Sequence, residues 1–276
     1  MRQRDKAEAF RRLHDGPPIL VLPNAWDSAS ARIFEDAGFP AIGTTSAGIA
    51  NSLGYPDGQY TPGREMLAAV ERIVRAVAVP VTADVEAGYG YSVVAAAEIA
   101  GRVIAAGAVG LNLEDTAEQE GTLLDAALQS ARIAAMRETA NALRVPLVIN
   151  ARTDVFLASI GDPATRFDRA VERAAAYHRA GADCLFIPGV RDAETIGRLV
   201  RALPGPLNIL ADPGAPPATE LQRLGVARMS VGSGPMRAVM GLTRRIAEEL
   251  HRDGASASMY DQAIPYAEAN ALFLNS

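Results

Sequence analysis

The sequence predicts a single (β/α)8 TIM barrel spanning residues 1–276, with an extra C-terminal helical extension over 255–276. Three observations carry this. Short apolar runs alternate with longer helical stretches along the whole chain. The runs are nearly continuous in Val, Ile, Leu and Ala rather than alternating, as expected where both faces of a parallel sheet are covered. A helix-to-strand junction also recurs, as AGFPAI at 37–42, AGAVGL at 106–111 and AGADCL at 180–185, with LGVARM at 224–229 as a variant. In each, a glycine stands where a helix ends, a position that favours left-handed backbone.

Taken in order, strands are expected at 19–22, 41–44, 81–85, 110–113, 147–151, 184–187, 207–210 and 228–231. Helices are expected between them, among others at 64–76, 92–106, 124–143, 164–180 and 193–203. Eight such units in 276 residues favour a closed barrel over an open doubly wound sheet. The tail at 259–273 reads as an extra helix that caps the barrel or packs on a neighbouring subunit.

Composition narrows the possible functions. The chain is 49% hydrophobic but only 5% aromatic, so its core must be built from aliphatic side chains. A net charge of -5 does not suggest a nucleic-acid surface. No apolar stretch reaches a membrane span, and the polar start MRQRDKAEAF has no signal-like apolar region. A cytoplasmic protein that binds neither nucleic acid nor membrane is expected.

In this fold the active site lies at the C-terminal ends of the strands. Those of strands three and four carry acids: Asp84 and Glu86, separated by Val85 and so expected on one side of the strand, and Glu114, followed by Asp115. Carboxylates this close repel and rise in pKa unless a cation sits among them. Mg²⁺, held by oxygen ligands and waters, is the best fit. Strand five ends in Arg152, whose guanidinium suits a carboxylate or a developing enolate. The structural alternative is that the acids pair with Arg152 and cap helices, with Arg152 bound to Glu114 or Asp154. Ser46-Ala47-Gly48 could offer a hydroxyl and successive N–H groups to a carboxylate. Gly232-Ser233-Gly234 is either an anion-binding helix start or a plain cap.

Scarcities exclude other mechanisms. The one lysine, Lys6, is near the N-terminus, so no strand end can form a Schiff base. His14, His178 and His251 lie away from the strand ends, which argues against a catalytic triad or a histidine-ligated zinc. Cys184, the one cysteine, begins a strand and reads as a buried thiol. What remains suits stabilisation of an enolate formed from a 2-oxo acid.

The segments PNAWDSASARIFEDAGF, TTSAGIANSLGYPDG, TADVEAGYG, NLEDT, INARTD and SVGSGP, in this order and at these barrel positions, resemble the isocitrate lyase / phosphoenolpyruvate mutase superfamily over nearly the whole chain. The resemblance implies Mg²⁺, with Mn²⁺ as the alternative, a small 2-oxo acid substrate, and a homodimer or homotetramer with a swapped C-terminal helix. It implies Asp84 as the main metal ligand, in a D-x-D-T-G-[FY]-G pattern where Glu86 here replaces the second Asp and Ala87 the Thr. Glu114 would hold metal-bound water, Arg152 would face the reacting oxygen, and Ser46, Ala47 and Gly48 would bind the oxo-acid carboxylate. Asp57 matches an acid near the metal. Trp26 and Asn208 are expected as further substrate contacts, and Arg152, Asp57 and Glu114 as the catalytic set.

One departure shapes the expected reaction. The superfamily's classical lyases carry a K-[KR]-C-G-H lid after strand four, whose cysteine is the catalytic acid/base. Here residues 116–123 read TAEQEGTL, with no Cys, His or Lys. The lysine- and asparagine-bearing lid of phosphonopyruvate enzymes is absent too. The expectation is Mg²⁺-dependent C–C cleavage of a small 2-oxo or 2-hydroxy acid, most simply decarboxylation of an oxaloacetate-like substrate. The rivals are a phosphonate mutase or hydrolase, and a weakly active 2-oxo acid binder.

Overall fold

The computed structural model describes residues 2–117 and 121–274. Nine parallel segments form one sheet: β1 (Leu20–Leu22), β2 (Asn24–Ala25), β3 (Ile42–Thr44), β4 (Val81–Asp84), β5 (Gly110–Glu114), β6 (Val148–Arg152), β7 (Cys184–Phe186), β8 (Leu207–Leu210) and β9 (Arg228–Ser230). Their order is β1-β9-β8-β7-β6-β5-β4-β3-β2. β1 pairs with β9 and β2 with β3, so the two flank Pro23 as halves of one broken strand. The ring of eight therefore closes at that strand, as the sequence predicts. Pro23 has no N–H for the ladder, and its carbonyl accepts from Gly43 N at 2.8 Å. Asn24 bridges the seam: its Nδ2 donates to Thr44 O at 2.8 Å, and its Oδ1 accepts from the N–H groups of Val231 and Gly232, each at 2.9 Å.

α1 (Gln3–Arg12) precedes the sheet, and the other helices follow its strands: α2 (Ser28–Asp36), α3 (Ser46–Ser52), α4 (Gly63–Ala76), α5 (Val93–Ala105), α6 (Ala126–Ala142), α7 (Arg166–Arg179), α8 (Ala193–Ala202), α9 (Ala218–Leu224) and α10 (Gly234–Asp253). The recurring junction glycines Gly38, Gly107, Gly181 and Gly225 all have positive φ, between +87° and +111°, which confirms the left-handed helix ends. α1 closes the lower mouth with a fully buried Phe10. It comes so near β5 that a Cβ on Gly110 would lie 2.9 Å from the Phe10 ring. Also at the lower end, Asp183 Oδ1 pairs with Arg11 Nη1 at 2.6 Å. Its Oδ2 binds Arg137 and accepts from Ile149 N at 2.8 Å.

Two expectations are corrected. The N–H groups of Ser46-Ala47-Gly48 are not free as a set, because these residues start α3, capped by Thr45, whose Oγ1 accepts from Gly48 N at 3.3 Å. The tail is not one helix but two, α11 (Ala257–Tyr260) and α12 (Tyr266–Leu274), with Pro265 between them. Proline cannot continue a helix from the residue before it. α12 lies against α2 of its own chain. α10 projects from the barrel with only Met236 and Glu249 buried, and leaves Val239, Met240, Leu242 and Leu250 exposed. No helix among the described residues is long and apolar enough to cross a membrane.

Candidate active site

Two joined chambers open at the C-terminal ends of the strands. The inner one, about 230 Å³, is lined by Ser46, Ala47, Asp57, Asp84, Glu86, Asn112, Glu114, Arg152, Ser230 and Gly232 among others. The outer one, about 440 Å³, shares Asp57, Glu86, Glu114 and Arg152 and adds Gln59, Tyr91, Thr116, Thr122 and Asp154.

Asp84 ends β4. Its amide donates to Thr44 Oγ1 at 2.9 Å, and its Oδ2 accepts from Ser46 N at 3.0 Å and Ser46 Oγ at 2.8 Å. The N-terminus of α3 thus holds Asp84, so Ser46's N–H serves the metal-ligand candidate rather than a substrate carboxylate. The first N–H groups of a helix have no intrahelical partner. Here Ser46's goes to Asp84 and Gly48's to Thr45, leaving that of Ala47, a residue that lines the inner chamber. Asp84 Oδ1 is buried with no hydrogen-bond partner among the described residues.

Glu86 reaches the site by a different route from the one expected. β4 ends at Asp84, and Glu86 adopts φ +51°, so a left-handed turn rather than strand alternation aims it. Tyr89, also at positive φ, donates its hydroxyl to Glu86 Oε1 at 3.1 Å. Burial, reinforced by Asp84 and Asp57, pushes the Glu86 carboxyl up to about 7. Burial, then Asp84, also raises Asp57 above the usual carboxylate range.

Arg152 ends β6 and realises both structural pairings foreseen for it. Its Nη1 binds Glu114 Oε1. Its Nε and Nη2 clasp Asp154 at 2.6 and 3.0 Å. A guanidinium has five N–H donors, so one hydrogen on each Nη remains for a ligand. Burial opposes its charge, but Glu114 and Asp154 hold it above its ordinary value, while burial pushes Glu114 upward against the pull of Arg152. Asp115 turns away from the chamber: its Oδ2 accepts from Arg173 Nε at 2.8 Å and from the Tyr177 hydroxyl at 2.7 Å, and its Oδ1 from Asp154 N at 3.0 Å.

Among the described residues, no three acids stand ready to chelate an ion together. The donors fit a largely hydrated Mg²⁺ instead: Asp84 Oδ1 is free to ligate, while Glu114 and Glu86 are engaged by Arg152 and Tyr89 and would act through water.

The other expected contacts lie outside the chamber lining. Trp26 packs on Gly48, where an added Cβ would lie 2.9 Å from the Trp26 Cβ. Asn208 is fully buried and reaches the site through Ser230, whose Oγ donates to Asn208 Oδ1 at 3.3 Å. Gly232 and Ser233 line the inner chamber before α10. The loop at 116–123 is described except for Glu118, Gln119 and Glu120, which lie outside the described residues. Thr116 bridges to Leu123, and Thr116 Oγ1 contacts Glu114 Oε2 at 3.4 Å.

Sequence reasoning missed Gln59, Tyr91 and the role of Tyr89. Gln59 accepts from Tyr89 N at 2.8 Å and donates to the Tyr91 hydroxyl at 3.0 Å, stitching the loop after α3 to the turn after β4. Only the density of Gly and Tyr in EAGYGY hinted at that turn.

A parallel barrel with acids from neighbouring strand ends around a half-buried arginine is the frame of an enzyme site. A family model described as phosphoenolpyruvate phosphomutase matches residues 10–251. The chain is 35% identical to an uncharacterised protein of Mycobacterium tuberculosis (strain H37Rv), covering 95% of each chain. It is 33% identical to an oxaloacetate decarboxylase of Rhodopseudomonas palustris (strain TIE-1), covering 79% of this chain and 74% of that one. A solved structure from Burkholderia cenocepacia J2315 matches with TM-score 0.91 and 37% identity over 99% and 96% of the chains. A phosphonopyruvate hydrolase solved with oxalate and Mg²⁺ matches with TM-score 0.84 and 25% identity over 97% and 94%. The chain belongs to the phosphoenolpyruvate phosphomutase family, within the isocitrate lyase/PEP mutase superfamily of lyases and mutases.

Proposed function

We propose that this enzyme cleaves a C–C bond of a small 2-oxo or 2-hydroxy diacid with the help of Mg²⁺, most simply by decarboxylating an oxaloacetate-like substrate. The observation that carries this reading is the pairing of one unpartnered Asp84 oxygen with one cation, Arg152, in a chamber otherwise lined by acids and neutral groups. Bound there, Mg²⁺ would supply positive charge to the substrate's 2-oxo and carboxylate oxygens.

Asp84, fixed by Ser46, would hold the ion directly, and Glu86 and Glu114 through water. The N–H of Ala47 suits the substrate carboxylate, since both donors of Ser46 are held by Asp84. The C3–C4 bond would break, its electrons forming the enolate of pyruvate as carbon dioxide leaves. The free Nη hydrogens of Arg152 suit the enolate oxygen, and water would complete the reaction by protonating C3. Similarity to an oxaloacetate decarboxylase supports the same choice.

The test is to incubate purified protein and Mg²⁺ with C3–C6 2-oxo and 2-hydroxy diacids. Turnover of at least one is expected; none would sink the proposal. A phosphonate substrate is the rival, favoured by the structural likeness to a phosphonopyruvate hydrolase. Among the described residues, however, Arg152 is the only cation lining either chamber, a poor match for a carboxylate plus a phosphonate dianion. Phosphorus NMR after incubation with phosphonopyruvate separates the two.

The exposed apolar residues of α10, together with the resemblance, support a homodimer or homotetramer in which that helix packs on a second copy. Met240→Glu with Leu242→Glu should shift the assembly to monomer in sedimentation equilibrium. A cytoplasmic location is part of the same reading.

A further inference from the structure

α6 contributes nothing to the chamber lining, yet it reaches both acid-bearing strand ends from behind. Gln129 and Arg132, one turn apart on that helix, are both fully buried. Gln129 Nε2 donates to the carbonyl of Glu114 at 2.9 Å, and its Oε1 accepts from Arg132 Nη1 at 2.7 Å. Arg132 Nη2 then donates to two carbonyls of the turn after β4, those of Ala87 and Gly90, the latter at 2.8 Å. Glu114 N closes the circuit by donating to Glu86 O at 2.9 Å.

Two features say that this arrangement does more than fill space. No carboxylate pairs with Arg132 among the described residues, and burial lowers its pKa. A buried charge without a counter-ion is costly, and stability alone would favour an apolar side chain there. The turn it grips is also an unfavourable one. Glu86 and Tyr89 both have positive φ, 51° and 55°, with Gly88 at 90° between them, a region that residues with side chains avoid. Such backbone persists only where its surroundings over-determine it. Two carbonyls converging on one guanidinium nitrogen supply that constraint. Gly88 is needed for the approach, since a Cβ there would lie 3.2 Å from Arg132 Nη2.

We infer that Gln129 and Arg132 are positioning residues that hold the strained turn at 86–90 curled and fix Glu86 relative to Glu114 across the mouth of the inner chamber. Their consequence for the ion rests on the Mg²⁺ reading above; their grip on the turn does not.

The experiment therefore has a metal-free arm and a metal arm. In the metal-free protein, Arg132→Met should speed amide hydrogen exchange across 86–91 by at least about tenfold, with the strands unchanged. By calorimetry it should weaken Mg²⁺ binding by about 10–100-fold, the usual range for residues that support metal ligands from behind. Arg132→Lys, which keeps one donor near the carbonyls, should recover part of both effects. A folded Arg132→Met with wild-type exchange overturns the inference. Faster exchange with unchanged Mg²⁺ affinity overturns the link to the ion. If the wild type itself binds no Mg²⁺, the metal reading falls and the exchange arm alone decides. Should Arg132→Met not fold, Gln129→Met, which removes the Glu114 tie and the Arg132 brace, should show the same shifts at smaller size, and its equivalence to wild type would equally overturn the inference.

Discussion

The two ends of the barrel treat carboxylates in opposite ways. At the lower end, Asp183 is fully matched: two arginines and a backbone N–H meet its two oxygens. At the upper end, Asp57, Asp84, Glu86, Glu114 and Asp154 crowd one arginine, one Asp84 oxygen has no partner among the described residues, and the carboxyls of Asp57 and Glu86 are raised. The lower arrangement is complete in the chain alone. The upper one leaves an acceptor open, which the proposed cation would fill. The difference separates acids matched by the chain from acids it leaves under-matched.

Substitutions can break this contrast. The largest effect is expected for Asp84→Ala, which should remove detectable Mg²⁺ binding by calorimetry; retained affinity would refute Asp84 as the ligand. Next, Arg152→Lys should lower kcat by about 10²–10³-fold, as loss of a preorganised donor does, and an unchanged kcat would make Arg152 purely structural. At the lower end, Asp183→Asn should cost about 1–3 kcal/mol of stability in urea melts, a range that allows for the partial exposure of Arg11, and leave kcat/KM alone.

The smallest effect is a pH dependence. A carboxyl at about 7 in the folded protein, against an ordinary 4.5, makes the folded state bind more protons than the unfolded state between those values. The contribution of Glu86 to the stability of the metal-free protein should therefore be full below about 4.5 and be lost as pH rises toward 7. Glu86→Gln should flatten that fall, and a wild-type slope in the variant would assign it to another group.

The strands were legible because a parallel sheet covered on both faces writes itself as apolar runs, and the junction glycines marked where helices turn back. Asp84, Glu114 and Arg152 were legible because they terminate those runs. The position of Glu86 was not legible, since nothing in VEAGYG distinguishes a strand from a left-handed turn. The short helix α3 was missed because SAGIANS is small and only weakly periodic. Gln129 and Arg132 were invisible because they act through carbonyl groups, which every residue has. In the tail, the apolar content of 259–273 suggests one helix, and Pro265 marks the break.

Asn24 at the broken first strand also bears on how the molecule assembles. It joins residues 207 and 208 positions away, across the seam between the chain's first and last strands. The entropy of closing so long a loop is lost before its contacts form. Asn24 acts as a latch on that seam, its side chain backing the three-residue pairing of β1 with β9.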